Sequence, residues 1–374
     1  MKIAIYETVH LDWVIPLCEL FSLRSDKVSF FTNILFEQDI KEALKEKYKL
    51  FKWVYIDTNT PSLPYFKQVS KFFNSDHYHC IILNSVDCKH LLIFAAIFHK
   101  AKCKVLMNIH DVNNFFNASY SFNLRTCIRK AGKDLLHLKA DGFIVNAKAM
   151  KDYITLKKLT KKPVFWLPPV ISAAKINTLA TSVITVTIPG SIDEKRRDYK
   201  TALKIFQKIH QLLPGAVSLV LAGRPVGTYG NHILDTAKNM IEHGMSIKYS
   251  HTEIEETEFQ SLIAASDVLL SPLQLTTSIH DNIKEQYGTS KVSGNIYDAI
   301  RHGKPLIVPA ALVVPEEVKT SCLFYTSEEN LFQLIKTLIA NKELLQRLMS
   351  EALNNSRQFS ATQVSEKLAL LLND

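Results

Sequence analysis

Short apolar runs alternate with longer stretches of helical period along the whole chain. In the first half the runs are Ile3–Tyr6, Val28–Phe31, Trp53–Ile56, Cys80–Leu83, Val105–Ile109, Gly142–Val145 and Val164–Leu167. Each is nearly continuous rather than alternating, which is what strands of a parallel sheet covered on both faces require. The second half repeats the scheme. Strands are predicted at Val183–Ile188, Ser218–Ala222, Ile247–Tyr249, Val268–Leu270, Leu306–Val308 and Cys322–Tyr325, with helices at Tyr199–Leu212, His232–His243 and Glu255–Ala265. From Glu328 onward the pattern is helical almost to the end, with LFQLIKTLI and KLALLL as amphipathic runs. Between the halves, WLPPV (166–170) reads as a turn and SAAKINTLATS (172–182) as a linker. The pattern therefore predicts an α/β protein of two doubly wound, Rossmann-like domains. The first spans residues 1–172 and the second 182–358, with a C-terminal helix, 359–374, returning to the first domain. Two such domains are expected to face a cleft at the carboxyl ends of their strands, where doubly wound sheets bind ligands.

Candidate chemistry collects at those strand ends. The stretch YGTSKVSGNIYDAIRHGKPLIVP (287–309) reads as a loop of small residues, a helix starting near Ser293, a stop at Gly303 and Pro305, and a strand. A helix start behind such a loop offers unpaired N–H groups and the positive end of the peptide dipoles to an anion. Thr289, Ser290 and Ser293 can add hydroxyls and Lys291 a point charge, or serve as caps. The run PGSIDEKRRDY (189–199) follows the first strand of the second domain. Its cations Lys195, Arg196 and Arg197 suit a pyrophosphate; a solvated turn paired locally to Asp193, Glu194 and Asp198 is the other reading. Gly223 and Arg224, with Gly227 beyond, end the next strand, where a missing Cβ lets a base or phosphate approach the backbone. In the first domain, His10 and Asp12 follow the first strand and His110–Asp111 the fifth. Imidazole and carboxylate side chains so placed suit proton transfer or the holding of a hydroxyl.

Composition narrows the class. The 374 residues are 47% apolar and 22% charged, as in globular proteins. The longest apolar run, within Leu91–Phe98, is far shorter than the ~20 residues a spanning helix needs. Strand character from Ile3 leaves no room for a signal peptide, so a cytoplasmic protein is expected. The cysteines at 18, 80, 88, 103, 127 and 322 form no C-x-x-C pair and are expected to be free, buried thiols. No G-x-G-x-x-G follows the first strand, which excludes a dinucleotide dehydrogenase of the usual pattern. The net charge of +9 is unevenly spread: residues 1–170 hold 25 Lys and Arg against 15 Asp and Glu, while the remainder is near balance. Within that half, cations interleave with aromatics in KEKYKLFKWVY (45–55), YFKQVSKFF (65–73) and RTCIRKAGKDLLHLK (125–139). Such segments suit an anionic membrane surface or a polyanion; a solvated helix face is the plainer alternative.

Taken in order, several motifs resemble a GT-B glycosyltransferase of the retaining group 1 type. They are HD at 110–111, ADGFIVNAKAM at 140–150, WLPPV at 166–170, PGSIDEKRRDY at 189–199, LVLAG at 219–223, LIAASDVLLSP at 262–272 and DAIRHGKPLIVP at 298–309. The resemblance implies transfer of a sugar from a nucleotide diphosphate sugar to a hydroxyl of a glycan or lipid-linked acceptor, in the assembly of bacterial surface polysaccharide. The donor would sit on the second domain at Gly190, Lys195–Arg197, Gly223, Arg224, Ser290, Lys291, Ser293 and Gly294, with Asp298 on the ribose. The acceptor would meet His10 and Asp12 on the first domain, and His110, Asp111 and Asp12 would be the catalytic set. The family uses no divalent metal, so none is expected here, nor a cofactor or a nucleic-acid partner. The chain departs from the family's acidic pair, because Ser290 stands at the first Glu position, which leaves the sugar open. The fold also serves nucleotide-sugar epimerases and non-catalytic partner subunits. The basic first half would bring a lipid-linked acceptor's enzyme to the inner face of an anionic membrane.

Overall fold

The structure, a computed structural model, describes residues 1–100, 102–171, 183–279 and 283–373. The linker proposed for 172–182 lies outside them. The chain folds as two compact units, one of residues 1–170, 279–285 and 360–374, the other of residues 171–278 and 286–359. The segment 279–285, placed by its sequence position in the second domain, thus groups with the first.

The first unit holds a seven-stranded sheet of β1 (Lys2–Glu7), β2 (Lys27–Asn33), β3 (Lys52–Ile56), β4 (Cys80–Ser85), β5 (Lys104–Asn108), β6 (Gly142–Val145) and β7 (Val164–Trp166). All pairings are parallel, in the order β3-β2-β1-β4-β5-β6-β7. The strand order reverses between β1 and β4, so the loops after these two strands splay apart and leave a crevice. The helices are α1 (Leu11–Ser22), α2 (Glu37–Leu44), α3 (Ser62–Asn74), α4 (His90–Ile97), α5 (Val112–Phe116), α6 (Leu124–Lys139) and α7 (Lys148–Leu156). Right-handed crossovers put α1 and α2 on one face and α3, α4, α6 and α7 on the other. The packing of α1 on α2, of α3 on α4 and of α4 on α6 agrees. Ile3, Ile5, Phe30, Ile82 and Leu106 form a core with Val14, Phe21 and Ile40 of the first layer.

The second unit opens with β8 (Ile184–Pro189), β9 (Val217–Ala222), β10 (Ser246–Tyr249) and β11 (Val268–Leu270); along the chain two short strands outside both large sheets follow, β12 (Thr276–Ile279) and β13 (Ile283–Gln286), the latter mostly in the first unit. With β14 (Leu306–Pro309) and β15 (Cys322–Tyr325) they complete the strands; the sheet order is β10-β9-β8-β11-β14-β15. Here the order reverses between β8 and β11. The helices of this unit are α8 (Tyr199–Leu212), α9 (Gly227–Glu242), α10 (Glu256–Ala264), α11 (Gly294–His302), α12 (Glu328–Ala340) and α13 (Lys342–Arg357), and the chain ends in α14 (Ala361–Asn373), which belongs to the first unit. Local chemistry sets their ends: Asp198 caps α8 by accepting from Thr201 N at 3.0 Å, and Gly303, at φ +57, ends α11 in the left-handed region that glycine enters without cost. The core of this unit packs Tyr199, Phe206, Ile233 and Phe332 on one sheet face and Ile263, Ile296 and Ile300 on the other. The last helix, α14, packs on α1 in the first unit and buries Val364, Leu368 and Leu371 there. Four cysteines are buried as expected, but Cys88 is exposed and Cys127 half-buried, because the one sits in the loop after β4 and the other on α6's outward side.

Candidate functional site

In the second unit the site begins where β8 ends. Gly190 turns the chain at φ +88, and the side of it that a Cβ would occupy is taken by the Arg197 guanidinium, whose Cζ lies 2.9 Å from that point. Arg197 is buried. Its Nη2 donates to Asn295 Oδ1 at 2.8 Å and its Nη1 to Ser191 O at 3.2 Å, while Nε has no partner. Asn295 in turn donates to Pro189 O at 3.2 Å, and Tyr199 OH donates to Gly190 O at 2.8 Å. Asn295 is the second residue of α11. A buried guanidinium is therefore bound to the first turn of a helix, whose N-terminal end is itself positive. The two repel each other, and an anion at that end relieves both. Ser293, the N-cap, is buried and makes no side-chain cap bond, while Gly294 beside it faces open space.

The other donor-side candidates divide. Lys195 and Arg196 are exposed on the turn before α8; Arg196 Nε lies 3.5 Å from Asp193 Oδ2. Arg197, read from its sequence as a third cation for the same anion, is instead a buried floor under Gly190, because Asn295 and Ser191 O hold it inward. Gly223 was expected to let a ligand approach, but a Cβ there would collide with Gly190 O and stand 2.8 Å from Ser191 N; the space admits the neighbouring loop. Arg224 is exposed and 3.3 Å from Glu253. Ser290 is fully buried and its hydroxyl accepts from Gln286 N at 2.9 Å, so it closes a turn rather than facing outward. Lys291 is half-buried, its carbonyl accepting from Gly288 N at 2.8 Å, and Asp298 is half-buried in the second turn of α11.

In the first unit the loops after β1, β4 and β5 enclose a pocket of about 180 Å³ whose polar lining includes His10, Ser85, His90, His110, Asp111 and Lys133. A hydrogen-bonded chain sets its floor. Glu7, fully buried at the end of β1, accepts from Val9 N at 2.8 Å, His10 N at 3.0 Å and Asn84 Nδ2 at 2.6 Å. Burial pushes its carboxyl above the ordinary range, while these bonds favour the charged form. Asn84 also accepts from Asn108 Nδ2 at 2.9 Å and offers its carbonyl to His110 Nε2 at 2.9 Å. A carbonyl can only accept, so the proton sits on Nε2, and Nδ1 is the acceptor for Asn146 Nδ2 at 3.4 Å. Ser85 Oγ lies 3.0 Å from the same Nε2, and Trp13 and His10 lie against the His110 ring at centroid distances of 5.7 and 5.9 Å.

Of the predicted first-unit residues, His10, His110 and Asp111 thus come together around one pocket. Asp12 is outside its lining and approaches it only through His10, 4.0 Å away. The residues missed were Glu7, Asn84, Ser85, His90 and Lys133. Glu7, Asn84 and Ser85 are the last residues of the two strands at the reversal, a signal present in the strand order but not in any motif. His90 opens α4, buried; burial first, then the cations Lys133 and Arg129, pull its imidazole down to about 3. Lys133, also buried, donates to Asn114 O at 2.7 Å and Oδ1 at 3.0 Å.

No family model and no curated protein matches the sequence. Solved structures do. Sucrose-phosphate synthase from Thermosynechococcus elongatus is 15% identical with a TM-score of 0.65, over 100% of this chain and 98% of that one. HepE of Anabaena, in complex with UDP and glucose, is 14% identical with a TM-score of 0.64 over 100% of both chains. UDP-GlcNAc 2-epimerase from Neisseria meningitidis, bound to UDP-GlcNAc, is 12% identical with a TM-score of 0.59, again over 100% of both. At such identities the likeness is one of fold, and the fold is GT-B.

Proposed function

We propose that the chain is a nucleotide-sugar enzyme that transfers a sugar from a nucleotide diphosphate sugar to an acceptor hydroxyl. One observation carries the reading: the open N-terminus of α11 at Ser293 and Gly294, with the buried Arg197 charge bound to its first turn through Asn295. That arrangement calls for an anion, and the exposed Lys195 and Arg196 on the turn after β8 add charge for a diphosphate. Asp298 takes the ribose hydroxyls. As the bond to the sugar breaks, negative charge grows on the leaving diphosphate, and helix amides with fixed cations stabilise it without a metal. On the first unit, the His110 ring is held by Nε2–H on Asn84 O, and Asp111 and His10 hold the acceptor, a glycan or a lipid-linked sugar. The course is retaining, and the setting is surface-glycan assembly at the cytoplasmic face of a membrane.

The experiment is a thermal-shift series with UDP-, GDP-, dTDP- and CMP-sugars. A donor at about a hundred times its Kd stabilises the folded state by about 2.7 kcal/mol. Lys195→Ala with Arg196→Ala should abolish that shift and leave the ligand-free midpoint in place. No shift with any nucleotide sinks the reading and leaves a non-catalytic partner subunit. One of the likenesses above, to a UDP-GlcNAc 2-epimerase, leaves room for an epimerase; incubation with donor alone decides, since an epimerase converts it to an isomer and a transferase releases sugar only slowly. The anomeric configuration of the product, read by NMR, tests retention.

A further inference from the structure

Among the helices of the first unit, the excess of positive charge lies on one layer. Helices α3, α4, α6 and α7 carry nine Lys and Arg against two Asp, whereas α1, α2 and α14 on the other face carry two Lys against six Asp and Glu. Of the nine, Lys67, Lys71, Arg125, Lys148 and Lys151 are exposed. The same layer turns apolar side chains outward. On α6, Leu124, Ile128 and Leu138 are all exposed and, at 100° per residue, fall within one 80° stripe, while Gly132 beside it and Lys133 and Leu136 on the far side are buried. A surface helix ordinarily places its apolar stripe inward. α4 lies directly beside it: a Cβ on Gly132 would meet Leu91 N at 2.6 Å and His90 Cβ at 2.8 Å. Leu91, on α4, and Phe98, just after it, are exposed as well, and Phe122 before α6 is fully so.

We propose that the outer face of α3, α4, α6 and α7 docks on a lipid surface bearing anionic headgroups. Apolar side chains that enter the headgroup boundary, ringed by exposed Lys and Arg, are what such a surface holds. Charge complementarity decides the occupant, because the excess of cations on these helices repels a second copy of the chain. The inference rests on the proposed function only for its purpose, to bring the first unit to a lipid-linked acceptor; the charge and exposure that carry it are separate.

The test is co-sedimentation of the full chain with vesicles of phosphatidylcholine alone or of phosphatidylcholine mixed with phosphatidylglycerol. Binding is expected on the anionic vesicles and lost in high salt. Each neutralised cation near the surface should weaken the partition about fivefold, so Lys67→Gln, Lys71→Gln, Arg125→Gln and Lys151→Gln together should cost two to three orders of magnitude. Phe122→Ser should weaken it further, and Lys41→Gln on the opposite layer should not. Equal binding to both vesicles, no binding, or an unchanged quadruple variant overturns the proposal, as does a dimer in light scattering that Phe122→Ser dissolves. Thermal shifts with nucleotide sugars, run on the same quadruple variant, separate the two readings. Retained shifts with lost vesicle binding support docking, whereas a parent that ignores every nucleotide refutes the enzyme and leaves the vesicle result standing.

Discussion

Asn295 joins three pieces of the second unit, and its removal should be felt well beyond one side chain. It is 1% exposed, accepts from the Arg197 guanidinium at 2.8 Å and donates to Pro189 O at 3.2 Å. In Asn295→Ala the guanidinium, 8% exposed, keeps only its bond to Ser191 O, and the carbonyl of Pro189 loses its donor. A hydrogen bond to a buried charge contributes about 1.5–3 kcal/mol and a buried carbonyl left unpaired costs about 1–3. Breaking one partner of a buried charge costs about 3–5 in all, and that is the expected loss. For a unit of this size it lowers the melting midpoint by about 6–20 °C. Asn295→Asp keeps an acceptor for Arg197 but sets oxygen against oxygen at Pro189, and should fall between parent and Ala. The assay is urea unfolding followed by far-UV circular dichroism, with Arg197→Met and the double variant completing a cycle. A coupling of at least about 1.5 kcal/mol is expected, the double variant being more stable than Asn295→Ala alone because no charge is stranded. An Asn295→Ala variant within about 1 kcal/mol of the parent would show that Arg197 is solvated, and the buried floor of the anion site would be refuted with it.

Gly223→Ala drives a methyl into Gly190 O, so the loop after β8 must move; about 1–3 kcal/mol of stability and at least tenfold of nucleotide affinity should be lost, and calorimetric titration showing parental affinity would rule the close approach out. His90, held at about 3 against an ordinary 6.5, is neutral in the folded state while the unfolded chain takes up a proton. Stability should therefore fall as pH drops from about 6.5 towards 3, by at most about 5 kcal/mol, and His90→Phe should flatten that limb of the unfolding profile. Glu7 accepts at both oxygens, so in Glu7→Gln one amide N–H must face a donor; a loss of about 1–3 kcal/mol is expected, with product formation reduced and the nucleotide thermal shift intact, since the seat for the nucleotide is on the other unit. A Gln variant as active as the parent would mean that the His10 loop does not depend on this carboxylate.

The strands of both sheets were legible because a strand covered on both faces must be apolar along its length, and that is a property of consecutive residues. The stop of α11 at Gly303 and the extent of α8, Tyr199–Leu212, were legible for the same reason, their chemistry being local. Arg197 marks the limit. In the sequence it is the third of three like cations, and nothing in Lys195–Arg196–Arg197 says that the last turns inward; only the meeting of β8 with α11, a hundred residues apart, supplies Asn295 to hold it. Gly223 is similar, since its partner is the Gly190 carbonyl in the loop after β8. In the first unit, His10, His110 and Asp111 could be placed at strand ends by pattern, but Glu7, Asn84 and Ser85 acquired their parts from the order β2-β1-β4, which is a matter of which strand lies beside which. Charge shows the division most simply: the sequence alone determined that the first half is basic, and the alternation of crossovers across the sheet decided that nine of its cations share one face. Periodicity and capping act over one or two helical turns and can be read along the chain, whereas pairing, burial and the sidedness of charge are set by contacts between distant segments and exist only once the chain has folded.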